Sequence, residues 1–297
     1  MKPVSIEIRV LVEDYSGFNS RGLLAEHGLA IWIELAYGDG SKARILLDAG
    51  QSGEVLVRNA KALNTDLRSL NLVALSHSHY DHSGGLKALA KEVGERIPLV
   101  LHPEALRPSY ALRPALTSIG IPASVSELEK MFLLTPSEKL VEIAPGAYFL
   151  GTIPRYFESH VPPSSGLYVA RERGLEPYRG EDDTALAISI EGFGDVVITG
   201  CSHSGVTNIV KHATEILDEE IKLVVGGLHL VSAPRNLVKE VATKLRELGV
   251  RYAFVGHCTG FEAEKILSEE LGSGFAKIHV GFGARVSSKG IEVFQSY

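Results

Sequence analysis

The chain has 297 residues, 45% of them hydrophobic and 22% charged, a length that buries about three-quarters of its unfolded surface without disulfide staples. Thirty basic against thirty-six acidic residues leave a formal charge of -6, which removes the electrostatic footprint of a nucleic-acid binder but leaves room for one basic patch around a phosphorylated small molecule. Two cysteines, Cys201 and Cys258, exclude a disulfide framework. With no apolar signal core in residues 1–7 and no apolar run of about 18 residues, the expected setting is the reducing cytoplasm, away from membranes.

In chain order, Ser5–Val12 alternates polar and apolar β-branched residues and predicts a strand. Leu29–Ala36 and Arg44–Leu47 predict two more, the second broken by Asp48-Ala49-Gly50. Helical spacing covers Gly53–Leu63. Leu72–Leu75 is a short continuous apolar run, suited to a strand buried on both faces. Further strands are expected at Tyr148–Leu150, Leu167–Ala170, Ala185–Ile190, Val196–Thr199, Leu223–Val225 and Ala253–Val255. Amphipathic helices are expected at Gly85–Val93, Val206–Leu217, Leu237–Leu248 and Glu262–Leu271. Hairpins first and β–α alternation later argue an α/β protein. The stretch from 103 to 180 holds ten of the thirteen prolines. Because the alternation resumes beyond it, one domain spanning 1–297 with an inserted cap around 103–180 is the expected organisation.

Eleven histidines and thirty glycines are the unusual counts. Ser76-His77-Ser78-His79-Tyr80-Asp81-His82-Ser83-Gly84-Gly85 directly follows the buried strand. Four potential metal ligands, His77, His79, Asp81 and His82, fall within six residues. His77 and His79, two apart, point the same way in an extended segment. A loop at a strand's carboxyl end is a common ligand site in open α/β sheets. Imidazole and carboxylate donors suit zinc, iron or manganese.

This H-x-H-x-D-H pattern resembles the signature of the metallo-β-lactamase superfamily, and Leu46-Leu47-Asp48-Ala49-Gly50 resembles that family's first motif. The resemblance implies a four-layer αββα sandwich of two mixed sheets with outer helices. It also implies one or two divalent metal ions, zinc foremost, with iron, manganese or magnesium as alternatives. Asp48 would orient the histidine loop. Three later loops, around Cys201–His203, His229 and His257–Cys258, each follow a strand and precede a helix, so all should open on the edge that carries His77. His257 would join Asp81 and His82 at the second metal. The third ligand of the first position stays open among His203, Asp183 and Cys201, with His203 preferred because imidazole usually partners two other histidines. Cys201 stands where many members carry a bridging aspartate.

Asp81 and His229 are the candidates for a direct catalytic part, His229 as proton donor or phosphate partner. Arg155, among the aromatics of Ile153–Glu158, is the candidate substrate anchor. His27 and His160 are loop histidines that a pocket can use, whereas His102, His212 and His279 lack motif context. Such a centre suits a hydrolase that directs a metal-activated hydroxide at a phosphoester or related ester. The later glycine-rich motifs resemble the branch associated with 7,8-dihydropterin-6-methyl-4-(β-D-ribofuranosyl)-aminobenzene-5′-phosphate synthase, which implies a transferase displacing diphosphate as the alternative. A non-catalytic metal-binding module is the third reading. A serine hydrolase is weak because Gly200-x-Ser202-x-Ser204 misses the last glycine of its motif. No Walker loop or G-x-G-x-x-G fingerprint occurs. The expected partner is a small molecule, phosphorylated among the candidates; the oligomeric state stays open.

Overall fold

The structure is a computed structural model, and it describes residues 1–18 and 20–295. Two mixed sheets face each other. The first has eight strands, in the order Gly290–Gln295, Phe282–Ser287, Ser5–Val12, Ala30–Ala36, Lys42–Leu47, Leu72–Ala74, Pro98–Leu101 and Leu133–Pro136. The second has seven, in the order Phe275–Lys277, Tyr252–Gly256, Ile221–Gly227, Gly194–Thr199, Ala185–Ile190, Ala147–Phe149 and Val141–Ala144.

Residue alternation along the strands builds the layers. Ile45 and Leu47 enter the core between the sheets, while Leu46 faces the other way, onto the helices Glu54–Ala62 and Leu86–Val93. Val196 and Ile198 mirror this in the second sheet, and Val197 packs with Ile209 and Val241 of the helices Val206–Leu217 and Arg235–Glu247. Because both faces of these strands are buried, their sequences read as continuous apolar runs. A one-residue slip would exchange the two cores, which fixes the register. The expected αββα order is what these layers form.

The long proline-rich stretch is divided, not one insert. Ser109–Leu112, Leu116–Ser118, Leu167–Arg171 and Gly174–Pro177 form a separate antiparallel sheet of four strands. The middle of the stretch returns to the body. The helix Val125–Met131 starts with a Ser124–Glu127 capping box. Leu133–Pro136 extends the first sheet, and Val141–Ala144 and Ala147–Phe149 extend the second. Fully buried Phe132 and Phe149 anchor these pieces. The prolines fall between or at the ends of strands of only three to five residues, too short for periodicity to register. No helix among the described residues is long and apolar enough to cross a membrane.

Candidate metal centre

Parallel pairing decides where the polar loops emerge. Leu72–Ala74 runs parallel to Lys42–Leu47, and Gly194–Thr199, Ile221–Gly227 and Tyr252–Gly256 run parallel to one another. Their carboxyl ends therefore share an edge of each sheet, and the two edges meet across one cleft of about 490 Å³. Asp48, Ser202, His229 and His257 hold positive φ angles of 62°, 62°, 50° and 50° there. Non-glycine residues in that region are uncommon and carry a cost that surrounding contacts must offset.

The expected donors converge in two overlapping groups. Ring nitrogens of His77, His79 and His203 lie within 4.8 Å of one another. Both His203 nitrogens and His79 Nε2 are buried without a hydrogen-bond partner. Burial pushes His77 and His203 well below the ordinary imidazole range and His79 down to about 4, so these rings are held neutral, the form that ligates metals. In the second group His82 Nε2 lies 3.1 Å from His257 Nε2 and 3.3 Å from Cys201 Sγ. Asp81 Oδ2 lies 3.5 Å from His82 Nε2 and 3.4 Å from His257 Nε2. Tetrahedral zinc with bonds of about 2.0–2.3 Å needs donors about 3.3–3.8 Å apart; three of the four separations in the second group fall in that range, and the His82–His257 pair at 3.1 Å is slightly closer. Buried imidazoles without partners and this donor mixture fit one or two divalent ions.

The supports of these rings are built in. Asp48 accepts from the Ser76 backbone N–H and hydroxyl, both at 2.7 Å, and sits 2.6 Å from His82 Nδ1. That leaves His82 Nε2 facing the cleft donors. A Cβ at Gly200 would lie 1.9 Å from Ser76 Oγ and 2.8 Å from Asp48 Oδ2, so only glycine lets the two sheets close over this aspartate. Burial raises the Asp81 carboxyl, but His82 and the bond to His257 outweigh it and hold Asp81 well below its usual range.

Among the three candidates for the first group, the His203 ring is the one beside His77 and His79, with centroids 4.8 Å from each. Asp183 turns away: its Oδ2 accepts the Ser204 backbone N–H at 3.0 Å and the Ser204 hydroxyl at 2.6 Å. Cys201 Sγ lies 3.3 Å from His82 Nε2 and within 4.8 Å of ring nitrogens of His77 and His203, between the two groups. His229 lines the cleft, its ring 4.0 Å from that of His203 and its Nδ1 buried without a partner.

Arg155 is elsewhere, contrary to expectation. It bonds Glu158 and the Arg179 carbonyl and does not line the cleft. Arg113, on the small sheet's hairpin, lines it instead, with its guanidinium also donating to the Ser165 carbonyl at 2.6 Å. Arg155 stood beside aromatics in sequence, but Tyr156 faces His212 and Phe157 packs on His160, outside the cleft. His27 is at the cleft rim, 2.6 Å from Asp14. His160 bonds Thr207, His102 bonds Thr152 and His279 contacts the Val280 carbonyl, all structural contacts.

Several participants had no motif. Glu13 and Asp14 follow the end of Ser5–Val12 and receive the backbone N–H and Nδ1 side of His257. Burial raises Glu13 to about 7. Asp182 accepts from the Ser78 N–H at 2.8 Å and the Tyr178 hydroxyl at 2.7 Å, and Tyr178 packs its ring against His79 and His203. An acidic pair just past a strand's end was the available signal for Glu13-Asp14. Tyr178, isolated among charged residues, offered none.

Known proteins resemble the chain in sequence and in fold. Residues 43–144 match the family described as the beta-lactamase superfamily domain. The 7,8-dihydropterin-6-methyl-4-(beta-D-ribofuranosyl)-aminobenzene-5′-phosphate synthase of Methanocaldococcus jannaschii is 33% identical over 285 residues, 93% of this chain and 95% of its own length. A solved structure described as a metal-dependent hydrolase of the beta-lactamase superfamily superposes with a TM-score of 0.79 at 29% identity, covering 94% of this chain and 98% of that one. A metallo-beta-lactamase fold protein from Bacillus subtilis shares the fold alone, with a TM-score of 0.51 at 17% identity over 95% of this chain and 99% of that one. With a third of its residues in common with one relative along nearly the whole of both chains, and with the histidine edge described above, this chain belongs to the metallo-β-lactamase superfamily and resembles its pterin-phosphate synthase branch.

Proposed function

We propose that the chain is a metal-dependent enzyme acting at an ester or phosphoester bond of a phosphorylated small molecule, with hydrolysis as the leading reading. The observation that carries this is the convergence of His77, His79 and His203 beside Asp81, His82, Cys201 and His257 in one cleft. His77, His79 and His203 would hold one divalent ion, and Asp81, His82, Cys201 and His257 a second. Ions bound there supply Lewis acidity toward phosphate and ester oxygens and lower the pKa of water to about 7.

The chain's own residues do the rest. Arg113 binds the anionic end of the substrate as a charged donor. Ile119, Leu167, Pro163 and Val231 of the cleft wall hold an apolar or ring portion and keep water from it. His229 holds a proton on the ring facing the leaving group, with Nδ1 free of competing partners. Asp48 fixes the His82 ring, so its Nε2 direction does not depend on substrate.

A second reading is a transferase that displaces diphosphate with an aryl amine, favoured by the 33% identity to the archaeal synthase. One experiment separates the two. Metal-loaded protein is incubated with a pterin diphosphate, with and without an aryl amine, and in parallel with a panel of phosphodiesters and lactones. Amine-dependent diphosphate release supports the transferase, and turnover without amine supports the hydrolase. No bound metal, together with no turnover on any substrate, refutes both.

A further inference from the structure

We propose that Cys258 supplies a second sulfur donor, with Cys201, to the metal position built on His82 and His257, making it a dithiolate position that selects a borderline or soft ion. The proposal rests on the metal-centre reading above and adds a donor to it.

Cys201 Sγ, Cys258 Sγ and a ring nitrogen of His257 lie within 4.8 Å of one another. Cys201 Sγ is 3.3 Å from His82 Nε2, which is itself 3.1 Å from His257 Nε2. Around a zinc-like ion with sulfur bonds of about 2.3 Å, two sulfurs sit about 3.8 Å apart. Sulfurs already within 4.8 Å of each other are close enough for side-chain rotation to bring both onto one ion. Both cysteines line the same cleft as His257.

Two independent features hold Cys258 in place. The backbone N–H of His229 points at Cys258 Sγ from 3.2 Å, and a donor aimed at sulfur is a typical outer partner of a metal thiolate. A Cβ at Gly227 would lie 2.6 Å from Cys258 Sγ and 2.5 Å from the Gly200 carbonyl, so the bare glycine is what gives this sulfur its space. The thiol's contact to the Cys201 carbonyl is long, at 3.6 Å.

Binding is a proton exchange with no redox change. Each thiol releases one proton as its sulfur lone pair bonds the divalent ion. Two sulfurs favour zinc, iron(II) or cobalt(II) over magnesium or manganese, which prefer oxygen.

The test loads apo protein with cobalt(II) and reads the near-ultraviolet sulfur-to-cobalt charge-transfer band. The expected wild-type band reports two thiolates, each of Cys258→Ser and Cys201→Ser removes about half of it, and the double variant removes it all. As a readout on the unmutated chain, alkylation of Cys258, followed by peptide mass, should slow at least about tenfold on cobalt loading, since a bound thiolate is a poor nucleophile. Cobalt bound with an undiminished band in Cys258→Ser, or with unchanged alkylation of Cys258, overturns the proposal while leaving the metal centre intact. Failure of the wild type to bind cobalt at all overturns both.

Discussion

Replacing Asp48 by asparagine isolates how much of the centre's strength comes from outside the metal ligands. Asparagine tolerates the φ of 62° at this position, so the turn survives and only the charge is removed. The native carboxylate has three partners: the Ser76 N–H and hydroxyl at 2.7 Å each and His82 Nδ1 at 2.6 Å. One amide oxygen cannot serve all three, and the new NH₂ faces a donor. Hydrogen bonds to a charged acceptor contribute about 1.5–3 kcal/mol. The net loss in folding free energy is then about 3 kcal/mol, or about 5 °C in Tm for a chain of this length. Loss of an orienting partner also weakens metal affinity about 10–100-fold. Zinc affinity is read by competition with a chromophoric chelator, and Tm by scanning calorimetry of the chelated proteins. Zinc affinity unchanged within about twofold, with a Tm shift under about 1 °C, would refute an orienting role for Asp48.

The other predictions are more local. Arg113→Ala raises KM for an anionic substrate about tenfold, while Arg155→Ala leaves it unchanged; equal effects of the two would remove Arg113 from the cleft's chemistry. Asp195 is buried, and burial raises its carboxyl from 3.8 to about 6, outweighing the opposing effect of the Ser189 hydroxyl. Its folded pKa lies above the unfolded one, so the ionised form costs stability above pH 6 and the cost vanishes as pH falls toward 4. Asp195→Asn should therefore gain about 3 kcal/mol at pH 8 and almost nothing near pH 4, measured by denaturant unfolding of the chelated proteins; an equal gain at both pH values contradicts the burial argument. Adding zinc at about 1,000 times its Kd should stabilise the chelated protein by about 4 kcal/mol, read as a rise in Tm; no rise would mean that folding does not depend on the cluster.

Much of the fold and the centre was legible because the signals are dense and local. Leu72–Leu75 followed by His77-x-His79-x-Asp81-His82 carries its strand, its turn and four donors in eleven residues. Strands buried on both faces, such as Ala185–Ile190, announce themselves as apolar runs. What was hidden depends on long-range pairing. Phe282–Ser287 pairs with Ser5–Val12 across nearly the whole chain, and neither Arg113 nor Tyr178 can be linked to His79 until the hairpins fold over the cleft. Arg155 shows the opposite error: sequence neighbours of aromatic type drew attention to a residue whose own partners, Glu158 and Arg179, are next to it on the outer surface of the body. Local composition locates chemistry well when a loop carries it alone, and poorly when two distant loops must meet.

His82 marks where the two halves of the sandwich become one site. Its Nδ1 is bound to Asp48 of the first sheet, and its Nε2 faces Cys201 and His257 of the second. The Asp48 contacts favour folding, but the donors that face the cleft do not. Buried polar atoms without partners cost about 1–3 kcal/mol each, and His79, His203 and His229 all carry them. Four of the six described non-glycine residues with positive φ sit in the same loops, each at a cost of about 1–3 kcal/mol. A polar cluster this expensive, on an edge that apolar residues could have closed, is retained only if something binds it. A divalent ion bonded to His79 and to one nitrogen of His203 would offset part of the cost of the orphaned atoms, though not the backbone strain, and would tie the first sheet to the second. Metal affinity and the closure of the sandwich would then be one coupled equilibrium.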